Sequence, residues 1–171
     1  MSGNAALFEP TPDRQRELRH AFACFGTGVT VVTTQTDAGP LGITANSFSS
    51  VSLDPPLVLW SPAVASGRHD AFAEAQTFCI HVLSASQLDL AQHFARNGDG
   101  FENFDWSVGP VGVPRFSGCL AEFHCIRYAV HPAGDHTVVL GEVTQVLHAT
   151  DNSPGLLFKH GQFGQFSANT E

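Results

Sequence analysis

Strand chemistry recurs along this chain with little helix between its occurrences. VTVVTT (29–34), LVLW (57–60), FCIHVL (78–83), AEFHCIRYAV (121–130) and TVVLGEVTQVLHAT (137–150) concentrate β-branched and aromatic residues. Turn-forming stretches separate them: TDAGP (36–40), the Pro55-Pro56 pair, SPAVASGR (61–68) and HPAGDH (131–136). LGITANSF (41–48) reads as a strand returning antiparallel to VTVVTT. Helical spacing is confined to three places. Thr11 can cap a first helix with Pro12 and Asp13 in its first turn, and Leu18, Ala21, Phe22 and Phe25 mark one face. A short helix is expected over 69–75. A third follows Ser84 or Ser86, with Leu88, Ala91 and Phe94 on one face and Gly98 as its stop. The order β-β-β-α-β-α-β-β-β lacks the regular alternation of a doubly wound sheet. It predicts a mainly β protein, an antiparallel β-barrel with flanking helices. Gly141, inside the longest strand, marks a bulge or a close approach. The stretch 100–118 reads as Gly- and Pro-bearing loop.

GITANSFSSVSLDPP (42–56) is the anomaly in this pattern. Its first half spends strand positions on Thr44, Asn46, Ser47, Ser49 and Ser50, where a buried strand would carry branched aliphatics. SPAVASGR is similarly small and hydroxylated, and leads into the second helix. Hydroxyls and backbone N–H groups near a helix start form an anion site that Arg68 would complete; the bland alternative makes Ser66 a simple cap.

Composition excludes several partners. The formal net charge is -8 and the eight Lys and Arg residues form no basic cluster beyond RQRELRH (14–20). Neither nucleic acid nor an anionic membrane surface is expected. No apolar run reaches the roughly 20 residues that span a bilayer, and MSGNAALFEPTPDRQ (1–15) lacks a signal-peptide pattern. The expectation is a cytoplasmic protein, one domain over 1–171 with its core at about 10–166. Only 14% of residues are charged, which suits a surface partly covered by a second copy. Cys24, Cys79, Cys119 and Cys125 are scattered in apolar contexts and read as reduced, buried thiols. The nine histidines form no HxH or HExxH pattern, and no metal is expected. Cys119, His124 and Cys125 come nearest, read as core thiols beside a solvent-facing histidine. There is no GxSxG elbow, Walker loop or GxGxxG turn. The acidic residues Asp99, Glu102 and Asp105 read as a solvated loop.

GTGVTVVTT (26–34), GITANSFSSVSLDPPLVL (42–59), FCIHVLSASQLDLAQHFA (78–95), GDHTVVLGEV (134–143) and LLFKHGQF (156–163), in that order, resemble the flavin reductase-like family of FMN-binding split barrels. The resemblance spans about His20 to Phe166. It implies a six-stranded antiparallel split barrel of Greek-key type, a homodimer, and FMN (or FAD) bound near the subunit interface. The implied activity is that of an NAD(P)H-dependent flavin reductase of the EC 1.5.1 type. Hydride would pass from NADH or NADPH to flavin, and reduced flavin would go to a partner monooxygenase. By position, Thr44, Ala45, Asn46 and Ser47 would line the flavin, with Ser50 close by. Ser61 and Ser66 would hold the ribityl and phosphate end. Phe94 and Ala95 would form a far wall, with Arg96 toward the phosphate. His136 would stand by the nicotinamide or flavin, and the closing segment from Phe158 to Phe163 would lie near the cofactor. Trp60, Pro62 and the Lys159-His160 pair depart from the usual family pattern. A non-catalytic flavin carrier or sensor on the same barrel is the alternative. A pyridoxamine-phosphate-oxidase-like enzyme would need a basic phosphate site, for which Arg and Lys are too few.

Overall fold

The computed structural model describes residues 7–150 and 152–166; the ends of the expected 1–171 domain lie outside them. A 3-10 turn (Pro12–Arg14) leads into α1 (Gln15–Phe22). Pro12 sits in the first turn as expected, but Thr11 makes no side-chain capping bond. No residue of α1 is buried, and Phe22 and Phe25 stand exposed. The strands β1 (Thr27–Gly28), β2 (Thr30–Thr36), β3 (Gly39–Ala45), β4 (Ser49–Leu53) and β5 (Pro56–Trp60) follow. Next come α2 (His69–Glu74), β6 (Thr77–Val82), α3 (Leu88–Arg96), β7 (Trp106–Val108) and β8 (Pro114–Phe116). The long pair β9 (Ala121–Ala133) and β10 (His136–His148) and the hairpin β11 (Leu156–Lys159) with β12 (Gln162–Gln165) complete the order.

The main sheet is antiparallel and has seven strands, ordered β3-β2-β6-β9-β10-β5-β4. This corrects the six-stranded expectation. GITANSFSSVSLDPP is two strands rather than one, because the chain leaves strand geometry after Ala45 and regains it at Ser49. β3 and β4 are therefore the two edges of the sheet, joined only by residues 46–48. Four Cα steps span at most about 14 Å. A flat seven-stranded sheet would hold its edges roughly 29 Å apart. The sheet must curl until β3 and β4 approach, yet no ladder joins them. It is a barrel left open at one seam, not a closed one.

Strand alternation then sorts the apolar residues into two cores. Val32, Trp60, Phe78, Ile80, Cys125 and Val139 come from five different strands and fill the inside of the curl. Val31, next to Val32, and Leu83, just past the end of β6, point outward, where Phe94, Phe101 and Phe116 cover them. Gly141 makes the close approach its position suggested: an added Cβ would lie 2.5 Å from Phe78 Cζ, and the β9–β10 register shifts there. The expected loop at 100–118 instead contains a 3-10 turn (Phe101–Asn103) and the β7–β8 hairpin. Its strands are too short to show a period, and Phe101 and Phe116 anchor it in the outer core. All four cysteines are free thiols, but Cys24 is exposed rather than buried. Among the described residues no helix is long and apolar enough to cross a membrane.

Candidate functional site

The seam carries a cavity of about 200 Å³. Its lining gathers Thr44, Ala45, Asn46, Ser47, Ser61, Ser66 and His136, seven of the residues singled out above, from three separate stretches of chain. Topology explains the assembly. The crossover at 46–48 lies beside the end of β5, and the loop after β5 is stitched to the start of β10. Thr137 N–H donates to Pro62 O at 3.1 Å, Val64 N–H donates to Asp135 O at 2.9 Å, and Ala63 pairs with His136 in an isolated bridge.

The hydroxyls have structural duties that the sequence did not reveal. Ser47 Oγ accepts from Ser61 N–H at 2.9 Å and donates to Ser61 O at 3.3 Å, tying the crossover to the loop after β5. Thr44 Oγ1 donates to Ala91 O at 2.7 Å, holding α3 against β3. Ser66 Oγ accepts from Arg68 N–H at 3.2 Å, as a turn residue would. What these side chains leave open is backbone and small-residue surface. Gly42, two residues before Thr44, sends its N–H outward to Gly98 O at 2.8 Å. Residues two apart on an antiparallel strand point the same way, so Thr44 also turns its N–H and C=O toward the open edge.

Arg68 does not complete an anion site. Its Nη1 donates to Gly42 O, Phe94 O and Asn97 O at 3.0, 2.7 and 2.8 Å, so the guanidinium caps the end of α3. Burial lowers its pKa from the ordinary value. The structure likewise moves Phe94 out of the expected cofactor wall. Its ring is fully buried among Phe101, Phe104 and Phe116, and it fills the space beside Gly42, where an added Cβ would lie 2.5 Å from Phe94 Cδ1. Ser50, Ala95 and Arg96 are exposed and do not line the cavity. Phe163 packs on Phe158 but lines a different recess with Leu88 and Leu156.

A second, larger cavity of about 620 Å³ adjoins the first, and Asn46 lines both. Phe22, Phe25, Phe158, Arg19, Lys159 and His160 form most of its wall. The sequence did not announce the contribution of α1; its signal was the apolar face of Leu18, Ala21, Phe22 and Phe25, of which Phe22 and Phe25 stand exposed. His160 N–H donates to Ala23 O at 3.1 Å and fixes the β11–β12 turn against the end of α1. His160 adopts φ 51, in the left-handed region, at that turn.

His136 stands half-exposed at the rim of the smaller cavity, with Nδ1 2.8 Å from Asp135 Oδ1. That hydrogen bond holds the Asp135 carboxyl below the usual carboxylate range, and it leaves His136 Nε2 as the ring nitrogen available to a ligand. The missed residue Trp60 contributes a fully buried wall, and its indole Nε1–H has no partner among the described residues. Thr27 Oγ1, in the lining of the larger cavity, is buried and unpartnered as well. Buried polar atoms without partners are rare, and both belong to residues of the cavity walls. A planar ring against small residues, with polar atoms at its edge, fits this lining.

Comparison with known proteins agrees. The flavin reductase like domain family matches residues 22–167. The chain is 54% identical over 164 residues to the FMN reductase (NADH) SmoA of Agrobacterium fabrum, covering 96% of this chain and 93% of that protein. It is 36% identical to the flavin-dependent monooxygenase reductase subunit HsaB of Rhodococcus jostii, covering 95% and 83%. Some longer relatives are covered over less than half of their own length (44% and 42%). Among solved structures, the NADH:FAD oxidoreductase SgcE6 of Streptomyces globisporus C-1027, in complex with NAD and FAD fragments, superposes with a TM-score of 0.89 at 38% identity. That match covers 98% of this chain and 100% of the other. The chain therefore belongs to the flavin reductase-like family.

Proposed function

We propose that this chain is an NAD(P)H-dependent flavin reductase of the EC 1.5.1 type. In this reading it binds FMN or FAD at the seam, takes hydride from NADH, and supplies reduced flavin to a partner monooxygenase. The observation that carries the proposal is the seam cavity itself: in a family of flavin reductases, Thr44–Ser47, Ser61, Ser66 and His136 converge on one small-residue wall. The names of the relatives, an NADH-dependent FMN reductase and a monooxygenase reductase subunit, support the donor and the acceptor.

The bound pair supplies the hydride chemistry, from nicotinamide C4 to flavin N5, and no protein nucleophile is required. The protein's share is positioning. Residues 44–47 would give the flavin ring a flat wall, with the outward N–H and C=O of Thr44 at its polar edge. Ser61 and Ser66 would hold the ribityl and phosphate end. The larger cavity would admit the nicotinamide donor along Phe22, Phe25 and Phe158, with Lys159 and His160 answering its phosphates, since a net charge of -8 gives no long-range attraction. His136 would orient the nicotinamide at the rim. The split-barrel connection and a homodimer belong to the same reading. Leu53 and Val51 on β4, and Ile126 and Tyr128 on β9, are exposed apolar side chains that a second copy would cover.

The test is NADH oxidation followed in air with added FMN, and again with FAD. The reductase reading requires consumption well above the rate without enzyme. Flavin binding with no such consumption would establish the carrier or sensor alternative instead.

A further inference from the structure

We propose that Cys79, His81 and Glu122 form a binding site for a divalent transition-metal ion of the zinc class, on the outer face of the sheet beneath the β7–β8 hairpin. The strand register creates it. His81 on β6 is paired directly with Glu122 on β9, and Cys79 with His124. Residues two apart on a strand share a face, so thiol, imidazole and carboxylate meet on one side. Their ligand atoms all lie within 4.8 Å of one another, and all three residues are fully buried. Zinc holds sulfur at about 2.3 Å and nitrogen or oxygen at about 2.0–2.2 Å, so donors around a tetrahedral ion stand roughly 3.3–3.8 Å apart. Closing this group onto an ion takes side-chain movements on the order of an ångström.

His81 is the independent sign of a ligand. Its Nδ1 lies 2.9 Å from Val31 O. A carbonyl only accepts, so Nδ1 carries the proton and Nε2 presents a lone pair. That nitrogen is buried with no partner among the described residues. A ring proton on a backbone carbonyl and a free opposite nitrogen is how metal-binding histidines are oriented. Burial also pushes the His81 pKa down to about 4, which keeps the ring neutral.

The proton balance closes. Glu122 already carries one negative charge, held by Arg115 through bonds of 2.8 and 2.7 Å. Each carboxylate oxygen keeps a second lone pair for an ion. Burial, and then the Glu122 charge, raise the Cys79 pKa and hold it as a thiol when no cation is present. An arriving M²⁺ reverses that: the S–H bond breaks, an S–M bond forms, and the proton leaves to solvent. Glu122 then shares its charge between Arg115 and the ion, and with the new thiolate the cluster carries one net positive charge, on the side where Arg115 reaches the rim. A cleft of about 400 Å³, walled by Val108, Gly109, Arg115 and His124, lies on the solvent side of Arg115 and His124, so an ion must pass those two side chains to reach the buried group. A fourth position falls to water; His124, with Nε2 3.4 Å from Glu122 Oε2, holds the carboxylate rather than the ion. Thiolate, imidazole and a single carboxylate suit zinc, whereas calcium and magnesium ask for oxygen ligands throughout. The site faces away from the inner core that holds Trp60, so the ion would clamp β6 to β9 rather than join the redox step.

The test uses the full chain, dialysed against a chelator and titrated with Co²⁺ and then Zn²⁺ at neutral pH. The site predicts one equivalent of Co²⁺ per chain with a thiolate-to-cobalt charge-transfer band, displacement by Zn²⁺, and a melting temperature that rises with zinc. Cys79→Ser abolishes the band and weakens binding more than about 100-fold, His81→Gln weakens it by at least about tenfold, and Cys24→Ser changes neither. A readout free of variants is proton release, with about one proton freed from the Cys79 thiol for each ion bound in weakly buffered solution. No stoichiometric cobalt binding, binding without the thiolate band, or binding that survives Cys79→Ser would each overturn the proposal; the first leaves a buried network bridged by water alone.

Discussion

The seam and the buried cluster beneath the β7–β8 hairpin are two ways of placing polar residues in a β-core. At the seam, Thr44 and Ser47 spend their hydroxyls on nearby backbone and leave small, open wall behind. Under the hairpin, Glu122, His81 and His124 are large, ionisable and shut away, with Arg115 reaching in from the rim, and they depend on one another. The first arrangement stabilises locally and keeps room for a ligand. The second concentrates its energy in pairs that cannot lose one member cheaply. Substitutions should therefore separate cleanly: loss of stability under the hairpin, loss of binding at the seam.

The largest effect is expected from Glu122→Ala. It strands Arg115 and removes the partner of His124 in a buried setting, at a cost of about 3–5 kcal/mol. Denaturant unfolding should show that loss, while flavin affinity of the folded fraction stays unchanged. A cost below about 1 kcal/mol would place Glu122 with ordinary surface pairs.

Acid should act on the same region next. His81 has its folded pKa lowered from 6.5 to about 4, mainly by burial, against the pull of Val31 O and Glu122 and with His124 and Arg115 adding to the fall. The unfolded chain thus takes up a proton first, and stability drains as pH falls from 6.5 through 4, by on the order of 3 kcal/mol. Glu122 is pushed up by burial, but Arg115 and His124 outweigh that and bring it to about 2 from 4.5. Its contribution is present above 4.5 and is lost as pH falls toward 2. Melting temperatures of chelated protein across that range should decline from 6.5 downward, and His81→Leu should flatten the upper part of the decline.

The contrast also governs what could be read from the sequence. Residues 44–47 of the seam were legible because they are neighbours: TANS is one run, and a run of small hydroxylated residues in a strand is anomalous on its face, whereas Ser61, Ser66 and His136 reach the seam only through the fold. The edges of the elements followed from β-branched runs and from Gly and Pro. The cluster was not legible, since Cys79 and His81 meet Glu122 only through a ladder spanning some forty residues of chain. His124 therefore looked like a solvent-facing strand histidine; it is in fact almost fully buried (2%) because a hairpin too short to announce itself covers it. Arg68 and Phe94 misled for a related reason. Residue type suggested anion and ring contacts, but Arg68 answers helix-end carbonyls and Phe94 fills the space beside Gly42.

At the seam, Ser47→Leu tests the other side of the comparison. It breaks both bonds to Ser61 and fills the small-residue wall. The part-buried hydrogen bonds are worth about 1 kcal/mol, so the fold should survive with a slightly lower unfolding midpoint. Flavin affinity, followed by fluorescence titration, should fall at least about tenfold. Normal flavin affinity in that variant would remove residues 44–47 from the binding wall.

The smallest effect belongs to His136, which is half-exposed and bonded only to its neighbour Asp135. Removing it leaves no buried partner stranded, so His136→Ala should not change stability measurably. Its proposed contact is with the nicotinamide, made alike in the ground state and the transition state. Such uniform binding appears in KM and leaves kcat alone. Loss of one hydrogen bond of about 1 kcal/mol corresponds to a rise of roughly five- to tenfold in KM for NADH. Flavin affinity should hold, because the seam stitch at Ser47 and Ser61 is untouched. A variant whose KM for NADH is unchanged would make His136 a plain rim residue. One in which kcat alone falls would mean its contact forms only as hydride moves, drawing His136 from positioning into the chemical step.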